Sequence, residues 1–468
     1  MAFTNFYMQS TGSDLNSGST LDDAATLTYA SGNWVAGTGV FTVASGNPQT
    51  DGITVGDWVS VYANGSTVTG FVGRVTARNT TTITVDLVVK FGTAPTDGTG
   101  NRTLKRGGAF ASMAIFASNS AFQTGTVPVA TKLNIKAGTY ASTTTARTIA
   151  LTGTTLLPLW FDGYKTTPGE YNNVKPTTTR VAGTDIPHIT FTTGQIINTG
   201  GFDIWSNIQI SSQTTSSGGT FSASGAGTSR KLLERMRIIN TAANSASVAG
   251  RFNASTGHKA VGCYFSANAL ANCWNPGIDS VFIGCVFNGG LNGLNVVAQV
   301  TAIGCVFIDQ AAAGITVAAA TLTAYGNTFY SPGTNGITIT NPVAASGTYI
   351  NNLFHSCTTA GINNTSGTNT ADIVRINNSY YNTSTKEVGF GDHPPFNEIT
   401  ESIDPLVNAP TDMSLVSAAS SRINAYPGLY ENQSYTSYGF VGAVLPLSSV
   451  GSGSISQIMP SMNLDYVN

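Results

Sequence analysis

The chain has 468 residues, of which 9% are charged, with 21 Lys and Arg against 23 Asp and Glu and a net charge of −2. Soluble proteins carry about 25% charged residues; so sparse a charge, with no basic run, excludes a protein that binds nucleic acid by neutralising phosphates. No apolar stretch approaches the roughly eighteen residues a membrane-spanning helix needs. Hydrophobic residues at 41% can fill a sizeable core, and 52 glycines among abundant Ser, Thr, Asn and Val point to an all-β chain.

Residues 1–34 read as a strand and loop segment holding the turn-rich Thr11-Gly12-Ser13-Asp14-Leu15-Asn16-Ser17-Gly18. The opening Met1-Ala2-Phe3-Thr4-Asn5-Phe6-Tyr7 has neither a basic nor an apolar leader region, the expectation for a product made and kept in a cytosol or released from it by lysis. Residues 35–105 alternate in short strands, with Asn64-Gly65 as a hairpin turn after Asp57-Trp58-Val59-Ser60-Val61-Tyr62, and predict a small SH3-like antiparallel barrel. In residues 106–126, Phe110, Met113, Ala114, Ala117 and Ala121 fall at helical spacing and predict a helix over 108–121, capping the open end of a solenoid. Leu133 to Tyr140 reads as the first coil strand.

The segment 127–400 carries a repeat. Val261-Gly262-Cys263-Tyr264-Phe265, Ile283-Gly284-Cys285-Val286-Phe287, Ile303-Gly304-Cys305-Val306-Phe307 and Tyr325-Gly326-Asn327-Thr328-Phe329 align, followed by Ile350-Asn351-Asn352-Leu353-Phe354 and Ile376-Asn377-Asn378-Ser379-Tyr380. Their spacings are 22, 20, 22, 25 and 26 residues, about one circuit of three strands and their turns. A second element, Gly293-Leu294, Gly314-Ile315, Gly336-Ile337 and Gly361-Ile362, recurs nine to ten residues after the small residue of its coil. Alternation along a strand places Ile283, Cys285 and Phe287 on one inward face. Stacked coils then make an aliphatic column with Ile303, a column of Cys263, Cys285, Cys305, Asn327, Asn352 and Asn378, and an aromatic column of Phe265, Phe287, Phe307, Phe329, Phe354 and Tyr380. Gly or Asn beside the column supplies the positive φ of a sharp corner, and stacked amides can hydrogen-bond to one another. The fold class that follows is a right-handed single-stranded parallel β-helix.

Lys136-Ala137-Gly138-Thr139-Tyr140, Trp160-Phe161-Asp162-Gly163-Tyr164 with Pro168-Gly169, and Asp404-Pro405-Leu406 with Ser420-Ser421-Arg422-Ile423-Asn424 and Val441-Gly442-Ala443 resemble motifs of the pectate-lyase-like right-handed β-helix superfamily. The likeness covers most of residues 105–444, with Phe440 where that pattern has Asp. The opening, Phe6-Tyr7-Met8 with residues 12–18 and the barrel behind it, is similar to tailed-phage β-helix proteins. The resemblance implies a trimeric spike, fibre or capsid decoration on a virion.

Sugar-cleaving chemistry on such coils needs paired carboxylates. Asp279 and Asp372 share a column four coils apart, about 19 Å at strand spacing, and Asp309 lies in another. Glu387, Asp392, His393, Glu398, Glu401 and Asp404 form the densest polar group, read as a loop leaving the helix rather than a cation or acid-base site. Arg230, Lys231, Arg235 and Arg237 read as a solvated edge, and His188, His258, His355 and His393 are scattered. Five cysteines without a CxxC pair indicate neither a disulfide framework nor zinc, and the stacked thiols read as small hydrophobes. Thr321-Leu322-Thr323 and Thr338-Ile339-Thr340 are out of register for a threonine-ranked binding face. Residues 401–444 close the solenoid. In 445–468 a Gly451-Ser452-Gly453-Ser454 linker precedes Ile455, Ile458, Met459, Met462, Leu464 and Tyr466, which dock on a neighbouring subunit or pack back on the chain's own last coil. The expected function is a structural virion protein with no catalytic residue, cofactor or metal, its partners being its own copies as a homotrimer, other virion proteins and a host-surface glycan, with no nucleic acid and no membrane insertion. The alternative is a polysaccharide depolymerase or lyase of a tail spike.

Overall fold

A computed structural model describes residues 2–67, 71–112, 124–142, 146–171, 180–223, 230–252, 256–318, 320–340, 346–365, 373–391, 394–409 and 412–415. The chain divides into two units, one holding residues 1–173, 180–190 and 196–208, the other 174–179, 191–195 and 209–468. No helix among the described residues is long and apolar enough to cross a membrane.

The first unit contains a closed antiparallel barrel whose strands run, around the barrel, Leu27–Val35, Val40–Thr42, Thr82–Gly92, Phe71–Arg78, Trp58–Ala63 and Gly98–Arg106. Alternation puts Trp34, Phe41, Val59, Val61, Phe71, Ile83, Val85 and Leu104 inside. The barrel starts earlier than the sequence suggested. Leu27–Val35, assigned to the opening loop, pairs with both Val40–Thr42 and Gly98–Arg106, so closure depends on it. Residues 108–112 are not helical either. Gly107 and Gly108 take positive φ, and Phe110 forms a parallel bridge to Met8. Residues 113–121, the remainder of the expected helix, lie outside the described residues.

Ahead of the predicted first coil strand lies another. Thr4–Met8 pairs in parallel with Thr131–Lys136, which pairs with Leu159–Tyr164, and that with Asp203–Ser206. Phe6, Leu133, Phe161 and Trp205 share one buried column, with Phe161 and Trp205 stacked at 4.1 Å. The N-terminal strand is therefore the terminal rung of this stack, and Phe6 covers it by packing against Trp58, Phe91 and Phe110.

The second unit is a parallel β-solenoid with three faces. One sheet runs from Lys231–Glu234 through Ser280–Ile283 and Val300–Ile303 to Ile373–Ile376 (first face). A second runs from Gln209–Ser212 through Val286–Gly289 and Val306–Ile308 to Ser379–Tyr381 and Ile399–Thr400. The third runs from Phe221–Ala223 through Leu294–Val296 and Ile315–Val317 to Glu387–Val388. Phe287, Phe307, Phe329, Phe354 and Tyr380 occupy successive rungs of the second face, their rings 4.8, 4.8, 4.9 and 5.1 Å apart and within 13° of parallel.

One expectation about this column changes. Ile283 and Phe287 are not on one strand. Gly262, Gly284, Gly304, Gly326, Asn351 and Asn377 take φ between 53° and 59° and turn the chain from the first face to the second. Ile283 and Ile303 therefore fall in the outward row, opposite the inward Phe282 and Ala302. Cys263, Cys285, Cys305, Asn327, Asn352 and Asn378 follow the corner and are buried within it. Asn327 Nδ2 donates to Asn352 Oδ1 (2.9 Å), and Asn352 Nδ2 to Asn378 Oδ1 (3.1 Å). Each amide also donates back to a carbonyl of the preceding coil, Ala302 and Ala324 respectively. Buried amides satisfied in this way fix the corner's register.

Candidate functional site

The acidic group around 387–404 is split by the fold, and part of it is inside. The inward row of the first face ends in Arg375, opposite Tyr349, and that of the third face ends in Glu387, opposite Ile362. Arg375 and Glu387 form an ion pair, and Tyr380 Oη donates to Glu387 Oε1 at 2.8 Å. Arg375 also lies 3.7 Å over the Phe390 ring. Burial pushes the Glu387 carboxyl up, against the pull of Arg375 and the Tyr380 hydrogen bond. The phenol of Tyr380 is raised well above its ordinary value by burial and by Glu387. This triad closes the last coil from within, with its charges paired because a lone buried charge is costly. Glu398 binds Lys386 (2.5 Å), and Glu401 accepts from Ser379 Oγ (3.0 Å). Asp392 and His393 lie outside the described residues, as do Asp372 and Ile455 to Tyr466.

Asp404 leaves that group for the outer side of the second face. Its Oδ1 lies 3.1 Å from His355 Nε2 and accepts from the Leu406 amide at 2.9 Å. His355 sits between Tyr330 and Tyr381, each ring 4.9 Å from its own. These three occupy successive rungs in the row facing away from the Phe column. Burial lowers the His355 pKa while Asp404 opposes the shift. The Tyr330 phenol is raised by burial and by the charges of Asp309 and Asp404. The His355 ring is tilted by 35° against Tyr330 and by 45° against Tyr381. Asp309, exposed at a positive-φ position, has its carboxyl raised by partial desolvation. Tyr330, His355 and Tyr381 recur at the coil spacings of 25 and 26 residues, whereas Asp309 and Asp404 do not share that position. The rung register of the second face, read one residue past each Phe, would have found the three rings.

The third face presents a different chemistry. Its outward row runs Arg251, Asn275, Asn295, Thr316, Thr338 and Asn363, alternating with the inward Trp274, Leu294, Ile315, Ile337 and Ile362. The row is tied to asparagines that stand before it in the chain. Asn292 Nδ2 donates to Asn272 Oδ1 (2.9 Å), and Asn272 Nδ2 to Asn275 Oδ1 (3.0 Å). Thr316 Oγ1 donates to Asn292 Oδ1 (2.9 Å), and Asn335 Nδ2 to Thr338 Oγ1 (2.9 Å). These amides and hydroxyls are held in orientation, uncharged, and repeat at the rung spacing of about 4.8 Å.

The remaining singled-out residues have structural places. Lys231 is buried, Arg235 pairs with Glu234 (3.4 Å) at a positive-φ corner, and Arg237 lies 5.4 Å over Tyr264. Cys263 and Cys285 donate to the Leu233 and Ala260 carbonyls at 3.4 Å, and burial raises both thiols well above their ordinary value. All five cysteines are free and buried. Among the described residues, no three His, Cys, Asp or Glu side chains are grouped so as to hold a metal ion.

No family model matches the chain, and no curated protein matches it. Several solved structures do. Pectate lyase Pel9A aligns at a TM-score of 0.40 and 13% identity over 68% of this chain and 88% of its own. The catalytic domain of GH87 alpha-1,3-glucanase in complex with nigerose aligns at 0.25 and 12%, over 81% and 91%. PL6 family alginate lyase AlyGC aligns at 0.26 and 10%, over 63% and 53%. The chain is similar to these lyases and glycoside hydrolases in fold, and what they act on is said of them alone.

Proposed function

We propose that this chain is a structural attachment protein of a virus particle, whose solenoid holds an uncharged polysaccharide of the host surface along its third face. The observation that carries the reading is the outward row from Asn275 to Asn363, with its amides and hydroxyls in register on successive rungs and with Asn275, Thr316 and Thr338 oriented by Asn272, Asn292 and Asn335. A polyhydroxyl chain needs alternating donors and acceptors, which Asn and Thr supply without charge. Groups already held in place lose little freedom on binding. The opening segment's likeness to phage β-helix proteins supports the virion setting, and homotrimer formation belongs to the same proposal.

The test is electrophoresis through gels cast with a neutral glucan or with polygalacturonate, alongside electron microscopy of particles labelled with antibody to this chain. Retardation only in the neutral gel, abolished by Asn295→Asp with Thr316→Asp, and label on the particle surface are expected. Migration unchanged in every gel and unlabelled particles would end the proposal.

A second reading, cleavage of the glycan, is favoured by one cluster: His355 and Asp404 beside Tyr330, with Asp309 acting on the Tyr330 phenol. New reducing ends or unsaturated products from a polysaccharide, lost in His355→Ala, would replace attachment by catalysis.

A further inference from the structure

Backbone pairing onto the second face ends near Glu401. Ile399–Thr400 pairs with Ser379 and Tyr380, and the Glu401 amide donates to the Tyr380 carbonyl at 2.9 Å. From there the chain turns back along the outer side of the face. The Glu401 carboxylate accepts from Ser379 Oγ (3.0 Å), on the rung next to its own. Asp404 Oδ1 reaches His355 Nε2 (3.1 Å), one rung further back. The same Oδ1 accepts from the Leu406 amide (2.9 Å), so one carboxylate holds both the loop and the face. Ser402, Ile403 and Asp404 are exposed, whereas Pro405 and Leu406 are buried.

His355 itself is buried between the rings of Tyr330 and Tyr381. With the Nε2 proton donated to Asp404, the neutral ring keeps a bare lone pair on Nδ1, and Nδ1 has no hydrogen-bond partner among the described residues. A second proton would have to go there, making a buried donor that nothing accepts. The Asp404 charge favours the imidazolium, but burial outweighs it and holds the pKa below its ordinary value. The other titratable groups facing the ring are the phenols of Tyr330 and Tyr381, and the charge of Asp309 acts on Tyr330.

We infer that residues 402–406 form an acid-released clasp on the second face. Asp404 fastens the segment to neutral His355, and protonation of the imidazole lets it go, uncovering the row of Tyr330, His355 and Tyr381. The sign follows from linkage. Once the segment lifts, water reaches the ring and its pKa returns to about 6.5. The open form therefore takes up the proton first on acidification. Closure is fully stabilised above about pH 6.5 and weakens as pH falls below it. The inference is independent of the glycan reading, which uses another face.

Hydrogen exchange of the full chain at pH 7.5 and 5, corrected for the intrinsic effect of pH, tests it. Exchange at the Leu406 amide should rise about threefold or more at pH 5, while the Phe307 and Phe329 amides of the core rungs hold. His355→Gln keeps a donor for Asp404 and does not titrate, so the rise should be lost in it. Nuclear magnetic resonance of the His355 ring in the unsubstituted protein should show a pKa below about 6.5. Equal exchange at the two pH values, a rise shared by the core rungs, or a rise retained in His355→Gln would each overturn the inference. So would a His355 pKa at or above the free value, which decides the matter even if the variant fails to fold.

Discussion

His258 is fully buried, stacked on Phe252 at 4.4 Å, and its Nδ1 accepts from the Lys231 amide at 3.2 Å. Burial, helped by the Lys231 charge, pushes the imidazole pKa down to about 3. In the unfolded chain it returns to about 6.5. The folded value is the lower one, so on acidification the unfolded state takes up the proton first. This contribution to stability is intact above about pH 6.5 and is lost as pH falls toward about 3, on the order of 1.4 kcal/mol for each unit. Urea unfolding of the protein and of His258→Gln at pH 7.5 and 5 isolates it. The variant, although less stable at pH 7.5, should lose less between the two values. Equal losses would show that His258 is protonated in the folded state.

At the scale of the element, the recurring glycine that opens each third-face strand is a packing device. A Cβ on Gly293, Gly314, Gly336 or Gly361 would come closer than 3.0 Å to the ring of Phe307, Phe329, Phe354 or Tyr380 on the following coil. Gly314→Ala should therefore cost about 1–3 kcal/mol through overpacking. Gly37→Ala, where an added Cβ meets nothing within 4 Å, should stay within about 0.5 kcal/mol. Equal denaturation midpoints for the two variants would dismiss the packing role. Both glycine columns were visible in the sequence as repeats, and so was the stacking of Phe287 on Phe307, because one coil length returns like residues to like positions. The first-to-second corner was misjudged at Ile283 because Gly284 breaks the alternation between Ile283 and Phe287. Arg375 and Glu387 could not be paired from the sequence, since they meet across the coil interior from two different faces. The pairing of the opening strand Thr4–Met8 escaped notice for a similar reason: its partner, Thr131–Lys136, lies beyond the whole barrel. Of the candidate sites, the third-face row was concealed by plain Asn and Thr residues whose register appears only once the coils are stacked.

For the solenoid unit as a whole, each coil touches only the coils before and after it, so its stability should divide into coil terms and nearest-neighbour terms. The aromatic column makes this measurable. Phe307 and Phe329 face each other at 4.8 Å and 8°, whereas Phe287 and Phe354 have both of those rings between them. Phe→Leu substitution at each site removes ring stacking and keeps an apolar side chain in the column. Direct stacking predicts a coupling of about 0.5–1.5 kcal/mol between positions 307 and 329 in a double-mutant cycle. Positions 287 and 354 share no partner, and their effects should add to within about 0.3–0.5 kcal/mol. Chemical denaturation of the four single and two double variants gives both numbers. If the distant pair couples as strongly as the adjacent one, strain passes through the intervening coils, and the column behaves as one rigid body instead of a chain of neighbours. In that case a substitution anywhere in the Phe column would alter the outward rows of every coil, including the row from Asn275 to Asn363.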